Sequence, residues 1–382
     1  MRILHVATLV TPDGAYGGPI RVALNQLSEL ARLGHTVELI AGARGFDGDL
    51  PTAIQGVPVR LFPARSLVPG TGFAGLAASG LHRYLRAQLR RVDVVHVHLA
   101  RDLITLPAAS AVARSQVPLV LQTHGMIDES ERRLAALIDA VYTRRILRTS
   151  QRILSLTAKE SASLLAVART PLPVSAIGNG IAVLPRTTSN STNLEVLFLA
   201  RLHPRKRASY FVEMARTLLE EGTDATFTLV GPDEGEGDLV RELISKHEFG
   251  ERLTWEGPLS PEATLERMRS AAIYVLPSVE EVFPMSVLEA MSLGLPVVIT
   301  ESNGLAEPLR SAGAGIVVDE TLAGLVAGTR QLLHSAQLRV QLGDTGRALV
   351  RDEYSIAAVA AQLETIYAEA AVPAHPRVKD TL

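Results

Sequence analysis

The chain has 382 residues, 47% of them hydrophobic and 20% charged, with a net charge of −2. That composition excludes a disordered chain, the near-neutral balance gives no whole-chain signature of nucleic-acid binding, and the length suits two doubly wound domains better than one. There is no cysteine, which excludes a disulfide framework and thiol chemistry. The charge is unevenly spread: residues 1–180 carry 20 Lys/Arg against 12 Asp/Glu, and the remainder 18 against 28. Either the first half meets an anionic partner or the two halves attract each other. The N-terminal run R-I-L-H-V-A-T-L-V is broken too soon by Pro12-Asp13-Gly14 for a signal peptide. No run approaches the roughly 18 apolar residues of a membrane span. The expected location is the cytoplasm, with peripheral contact at the inner membrane face as the furthest departure.

In chain order, Ile3–Leu9, Thr36–Ala41, Val57–Phe62, Val92–Val97, Leu119–Gln122, Ile153–Leu156 and Val174–Ile177 read as strands. Amphipathic helices separate most of them, the first over Pro19–Leu33 with Val22, Leu27, Leu30 and Leu33 on one face. The polar run Thr187–Asn193, after Pro185, reads as a linker. The alternation then restarts with strands at Val196–Leu199, Thr226–Val230, Leu253–Trp255, Ile273–Leu276, Pro296–Ile299 and Gly315–Val318, and Ser355–Ala371 is strongly helical. Strand–helix alternation on this scale predicts an α/β fold with parallel sheets. The expected domains are 1–184, a linker at 185–193, 194–354, and a C-terminal helix with tail at 355–382.

The densest chemistry lies in Glu281–Val298, E-V-F-P-M-S-V-L-E-A-M-S-L-G-L-P-V-V. Pro284 suits a first helical turn, and Gly294 with Pro296 stops the helix. The free amides of that helix start can hold anions, around Phe283, Pro284 and Met285. Glu281 and Glu289 bracket the start; they read as acceptors for sugar hydroxyls or, as plainly, as a solvated and a dipole-favoured carboxylate. Gly17-Gly18-Pro19 is either a simple turn or a phosphate-approaching loop. His96 and His98 alternate on one strand; an H-x-H pair can begin a metal site, but no further ligand cluster accompanies it in the sequence. Thr123-His124-Gly125 ends a buried strand, and A-R-L-H-P-R-K-R puts Arg201 and Lys206 just past another. Arg205 and Arg207 are expected to face solvent, and Asp233-Glu234 to solvate a loop. Basic residues on first-domain helices, among them Arg83, Arg86, Arg132, Arg133, Arg144, Arg145 and Arg148, make either a membrane-surface patch or an ordinary solvated face.

Taken together, Glu281-x7-Glu289, Arg201-x4-Lys206, T-H-G at 123–125 and the Gly17-Gly18 loop resemble the retaining GT-B glycosyltransferases of the GT4 family. The family usually carries glycine where this chain has Pro284, which removes one amide donor. The resemblance spans nearly the whole chain. It implies a GT-B fold: two doubly wound Rossmann-like domains facing across a cleft, with the last helix crossing back to the first domain. It implies a retaining hexosyltransferase that takes a UDP- or GDP-sugar donor as co-substrate, with no cofactor and no metal. The catalytic set would be His124, Glu281, Arg201 and Lys206. Donor binding would involve Gly17, Gly18, Gly231, Gly257, Phe283, Pro284, Met285 and Glu289, with Gly304 and Glu307 as second choices. The implied acceptor is a saccharide or lipid-linked saccharide of bacterial polysaccharide synthesis, reached with peripheral membrane contact through the basic first domain. The rival expectations are a soluble natural-product acceptor, a GT-B nucleotide-sugar epimerase, and a non-catalytic binding protein of the same fold.

Overall fold

The computed structural model describes residues 1–12, 17–68, 70, 72–129, 133–186, 194–246 and 249–372. Thr187–Asn193 of the expected linker and Arg132 lie outside them. The chain divides into two compact units, Met1–Gly180 with Ile356–Leu382, and Ile181–Ser355.

Unit 1 holds β1 (Arg2–Val10), β2 (Thr36–Ala43), β3 (Ala53–Ile54), β4 (Val57–Ser66), β5 (Leu76–Ala78), β6 (Val94–His98), β7 (Leu119–Gln122), β8 (Arg152–Ser155) and β9 (Val174–Ala176). The sheet order is β3-β4-β2-β1-β6-β7-β8-β9, with β5 paired to β4. The short strands β3 and β5 pair antiparallel with β4 and were not foreseen; the other strands are parallel. Two or three residues at a sheet edge carry too little periodicity to announce a strand.

The sheet is buried on both faces, so its strands read as continuous apolar runs rather than alternating ones. Alternate residues nevertheless separate into two cores. Leu4, Val6, Val95, Val97 and Leu121 face one side. Ile3, Ala7, Val94 and Val120 face the other, with Leu27 from the helix Gly17–Arg32 and Leu363 and Tyr367 from the helix Ile356–Ala371. The parity that points Ile3 and Val94 to this second layer also points His5, His96 and His98 there. β1 and β6 run in register with His5 opposite His96.

Unit 2 contains β10 (Leu194–Leu199), β11 (Ala225–Val230), β12 (Leu253–Trp255), β13 (Ile273–Leu276), β14 (Val297–Thr300) and β15 (Ile316–Val318), all parallel. Their order is β12-β11-β10-β13-β14-β15. Counted from β10, that is 3-2-1-4-5-6, the doubly wound order whose ligand crevice opens where the winding reverses, outside the ends of the first and fourth strands. Here those strands are β10 and β13.

Candidate functional site

Arg201 and Lys206 follow β10, and Glu281 follows β13, so the reversal of strand order brings them together. Lys206 Nζ lies 2.6 Å from Glu281 Oε2, with the side chains 15% and 17% exposed, so the pair is largely shielded from water. Several backbone ties hold the two loops. Val279 N donates to Arg205 O at 2.9 Å, and Gly304 N to Glu281 O at 2.7 Å. Glu280, in the left-handed region at φ 51°, donates its N–H to Ser302 Oγ at 3.0 Å. Gly304 therefore supports the Glu281 loop through its backbone, whereas Glu307 is exposed and pairs with Arg310 and Ser311.

The helix Met285–Leu293 starts directly after Pro284, and left-handed Gly294 ends it. Val287, Leu288 and Met291 are buried, and Phe283 packs against Tyr354 with ring centroids 5.8 Å apart. Phe283 is therefore an anchor for the turn, leaving its backbone rather than its ring for a ligand. Buried Tyr274 braces the reversal point: its hydroxyl donates toward Leu199 O at 3.0 Å and lies 2.8 Å from Ser286 Oγ. Burial, and after it the charges of Glu289 and Glu281, push the Tyr274 phenol above its ordinary range, although Ser286 opposes the shift. Both carboxylates of the Glu-x7-Glu string thus act on one phenol beside the helix start.

Arg201 is 62% exposed and bonds Glu234 at 2.8 Å. This corrects the expectation that Glu234 only solvates its loop. Asp233 departs from it too: its carboxylate accepts from Gly235 N and Gly237 N, each at 2.9 Å, closing the turn into the next helix. Arg207 is also drawn in from solvent, lying 3.4 Å over the Tyr210 ring and donating to Glu320 O, while Arg205 is exposed as expected. Gly231 sits at φ 145°, and a Cβ there would fall 1.9 Å from Ala200 O, so only glycine permits this crossing of the β10 and β11 exits. Its N–H donates to Gly257 O at 2.9 Å and its carbonyl accepts from Trp255 Nε1 at 3.0 Å. The two glycines form one backbone shelf.

In unit 1, Gly17 and Gly18 are the first two residues of the helix Gly17–Arg32 rather than a loop before it. Residues 13–16, which join them to β1, lie outside the described residues. His124 lies two residues past the end of β7 at φ 50°, a backbone rarely adopted by non-glycine residues. Buried Glu160 holds that turn, since its Oε1 accepts from Thr123 Oγ1 at 2.5 Å and Gly125 N at 2.6 Å while Oε2 accepts from Leu156 N. The signal for Glu160 was in the sequence as Thr157-x-x-Glu160, a helix-capping pattern. Thr157 does cap Glu160 N, but the glutamate carboxylate is spent on the T-H-G turn.

His124 Nε2 lies 2.8 Å from His98 Nδ1, and burial pulls the His124 pKa down to about 3. The expectation that nothing accompanies His96 and His98 is also corrected: His5 of β1 joins them, and ligating atoms of the three lie within 4.8 Å of one another. Ninety residues separate His5 from the pair, so no local spacing could have found it.

The profile of "Glycosyl transferases group 1" matches residues 184–349, and that of "Glycosyl transferase 4-like domain" matches residues 17–180. Alpha-D-kanosaminyltransferase of Streptomyces kanamyceticus is 29% identical over 175 residues, covering 46% of this chain and 45% of that one. An Escherichia coli UDP-Gal:alpha-D-GlcNAc-diphosphoundecaprenol alpha-1,3-galactosyltransferase is 26% identical over 248 residues, covering 59% and 61%. The match thus spans about half the length of these relatives. The structure of Anabaena HepE in complex with UDP superposes with a TM-score of 0.72 at 17% identity, covering 96% of this chain and 100% of that one. At that identity the likeness concerns the fold. With two profiles covering both Rossmann-like units in order, the chain belongs to the group 1 (GT4) glycosyltransferases of GT-B fold.

Proposed function

We propose that the protein is a retaining glycosyltransferase that moves a sugar from a nucleoside-diphosphate sugar to an acceptor hydroxyl. The observation that carries this reading is the Lys206–Glu281 pair, held at the reversal of strand order beside a helix N-terminus. A diphosphate placed there meets the Lys206 ammonium and the amides of the helix start, and exposed Arg201 leaves the same strand exit as Lys206. As the anomeric C–O bond breaks, negative charge grows on the β-phosphate, and fixed donors stabilise that charge more than they stabilise the bound ground state. The acceptor oxygen forms the new bond on the face the phosphate leaves, and its proton passes to the departing phosphate. Configuration is then retained without a covalent enzyme adduct. Glu281 is assigned to the sugar hydroxyls, Glu289 to the ribose hydroxyls, the Gly231–Gly257 shelf to the base, and His124 to the transferred sugar near its anomeric carbon. This scheme asks nothing of a metal.

A UDP-sugar donor is supported by the UDP in the HepE complex and the UDP-Gal in the E. coli relative's name. That name also supports a lipid-linked saccharide acceptor. Exposed Leu137, Val141 and Tyr142, with exposed Arg145 and Arg148 following, support peripheral contact with an anionic membrane. Among the described residues no helix is long and apolar enough to cross one.

The test is a thermal-shift titration of the wild type and of Lys206→Ala with UDP-, GDP-, ADP- and dTDP-sugars. One donor stabilising the wild type and failing with the variant is expected. Equal stabilisation of both proteins would remove Lys206 from the donor site, and a trapped glycosyl–enzyme adduct would overturn the same-face mechanism.

A further inference from the structure

Unit 1 contains a string of polar rings that the proposed chemistry leaves unused. Beyond the His124 Nε2–His98 Nδ1 contact of 2.8 Å, His98 Nε2 lies 3.1 Å from His5 Nδ1. His5 Nε2 then lies 2.9 Å from the Tyr367 hydroxyl, which in turn lies 2.7 Å from His96 Nδ1. His5, His96, His98 and Tyr367 are at most 1% exposed. Burial, reinforced by their neighbours, holds His5, His96 and His98 well below the usual histidine range, and burial raises the Tyr367 phenol well above its own. All four imidazoles are neutral, and the phenol keeps its proton.

A neutral imidazole has one N–H and one bare nitrogen. His5 and His98 have both nitrogens in the string, so each must donate on one side and accept on the other. The phenol oxygen could accept from both of its rings, but its own O–H would then have no partner, so with every proton bonded it too donates on one side and accepts on the other. The direction of donation is therefore common to all four contacts. If it runs from His96 toward His124, every ring carries its proton on Nδ1; if it runs the other way, every ring carries it on Nε2. A mixed set leaves either one of the four contacts or the buried phenol O–H without a hydrogen bond, which this dry layer disfavours.

We infer that Tyr367, His5 and His98 are positioning residues that fix the tautomer of His124 through this string. The Nδ1 of His124 has no partner among the described residues, so the tautomer decides whether that atom meets a ligand as donor or acceptor. The phenol that closes the string comes from the C-terminal helix Ile356–Ala371. That helix thereby contributes to the chemistry of a residue more than 200 positions earlier. The catalytic consequence rests on reading His124 as a sugar contact; the tautomer itself is a property of the free protein.

The span of 4.8 Å among His5, His96 and His98 also fits a metal ion. Of their six ring nitrogens, however, only His96 Nε2 lacks a partner. An ion would have to break the string and sit buried among neutral imidazoles, which leaves its two charges without an anion.

The deciding measurement is the ring-nitrogen NMR spectrum of the four histidines in free, full-length protein, where protonated and bare nitrogens resonate far apart. Four rings sharing one tautomer is the expected result, and a mixed set or a doubly protonated ring would overturn the inference. In Tyr367→Phe the string loses its phenol, and the two ring nitrogens of His124 should shift toward averaged positions. Unchanged His124 signals in a variant with an otherwise native amide spectrum would also overturn it. So would zinc shifting the rings of His5, His96 and His98 at one equivalent. Should the variant fail to fold, the wild-type spectrum alone decides. None of these readings requires donor binding, so failure here is distinct from failure of the proposed function. With transfer in hand, Tyr367→Phe should lower kcat about tenfold at unchanged donor affinity, a wrong tautomer being able to cost up to about 10⁴-fold where histidine shuttles the proton itself. An unaltered kcat would end the positioning role.

Discussion

Lys206 Nζ and Glu281 Oε2 stand 2.6 Å apart across the two strand exits where the sheet of unit 2 reverses its order. The pair holds the Lys206 cation against the loop that leads into the helix Met285–Leu293. Lys206→Ala should lower transfer by about 10²–10³-fold, as loss of a donor aimed at a developing anion does. Steady-state kinetics at saturating donor checks this, and a loss below threefold would contradict it.

Arg201 is paired with Glu234 at 2.8 Å. An exposed pair of this kind is worth about 0.2–1 kcal/mol, so engaging Arg201 with a diphosphate costs that much. Glu234→Ala should therefore tighten donor binding by up to about fivefold with kcat little changed, measured by calorimetric titration. Weaker binding would place Glu234 among the ligand contacts.

Gly231→Ala drives a Cβ to 1.9 Å from the Ala200 carbonyl oxygen at a backbone angle that disfavours any side chain. We expect a loss of more than about 2 kcal/mol, seen as a clear fall in Tm. Gly257→Ala, with nothing near its Cβ but φ 80°, should be milder.

Acid should unfold unit 1 through its histidines. In the unfolded chain each ring takes up a proton near pH 6.5, whereas burial holds His124 to about 3 and His5, His96 and His98 well below their ordinary value. Between these values the unfolded state binds more protons. Stability is therefore full above pH 6.5 and falls as pH drops, by about 1.4 kcal/mol per pH unit for each ring. Asp102, its carboxyl pushed up by burial, opposes this as one group against four. An acid titration followed by circular dichroism should show a steep transition below pH 6, shallower in His96→Gln.

Glu160→Gln keeps the size of the side chain but removes the charge that holds Thr123 and Gly125. His124 should lose its fixed backbone, lowering kcat about tenfold or more while donor affinity stays unchanged. Equal kcat in both proteins would show that the turn holds without the carboxylate.

Much of the architecture was legible because it is local. Continuous apolar runs mark strands buried on both faces, and Pro284 with Gly294 sets both ends of one helix within a single window of sequence. That Arg201, Lys206 and Glu281 lie just past strands was legible for a related reason, since local runs mark where strands end, and the ends of strands are where a parallel sheet can present side chains. Which strand ends become neighbours is not a local property. Only the winding order of unit 2 brings Lys206 to Glu281, 75 positions away, and only the return of the last helix brings Tyr367 to His5 and His96. A hydrogen bond needs its partner within about 3 Å regardless of distance along the chain. Residue types and local periodicity therefore determined the elements and the candidate chemistry, while the tertiary fold alone decided which groups share a proton or a charge.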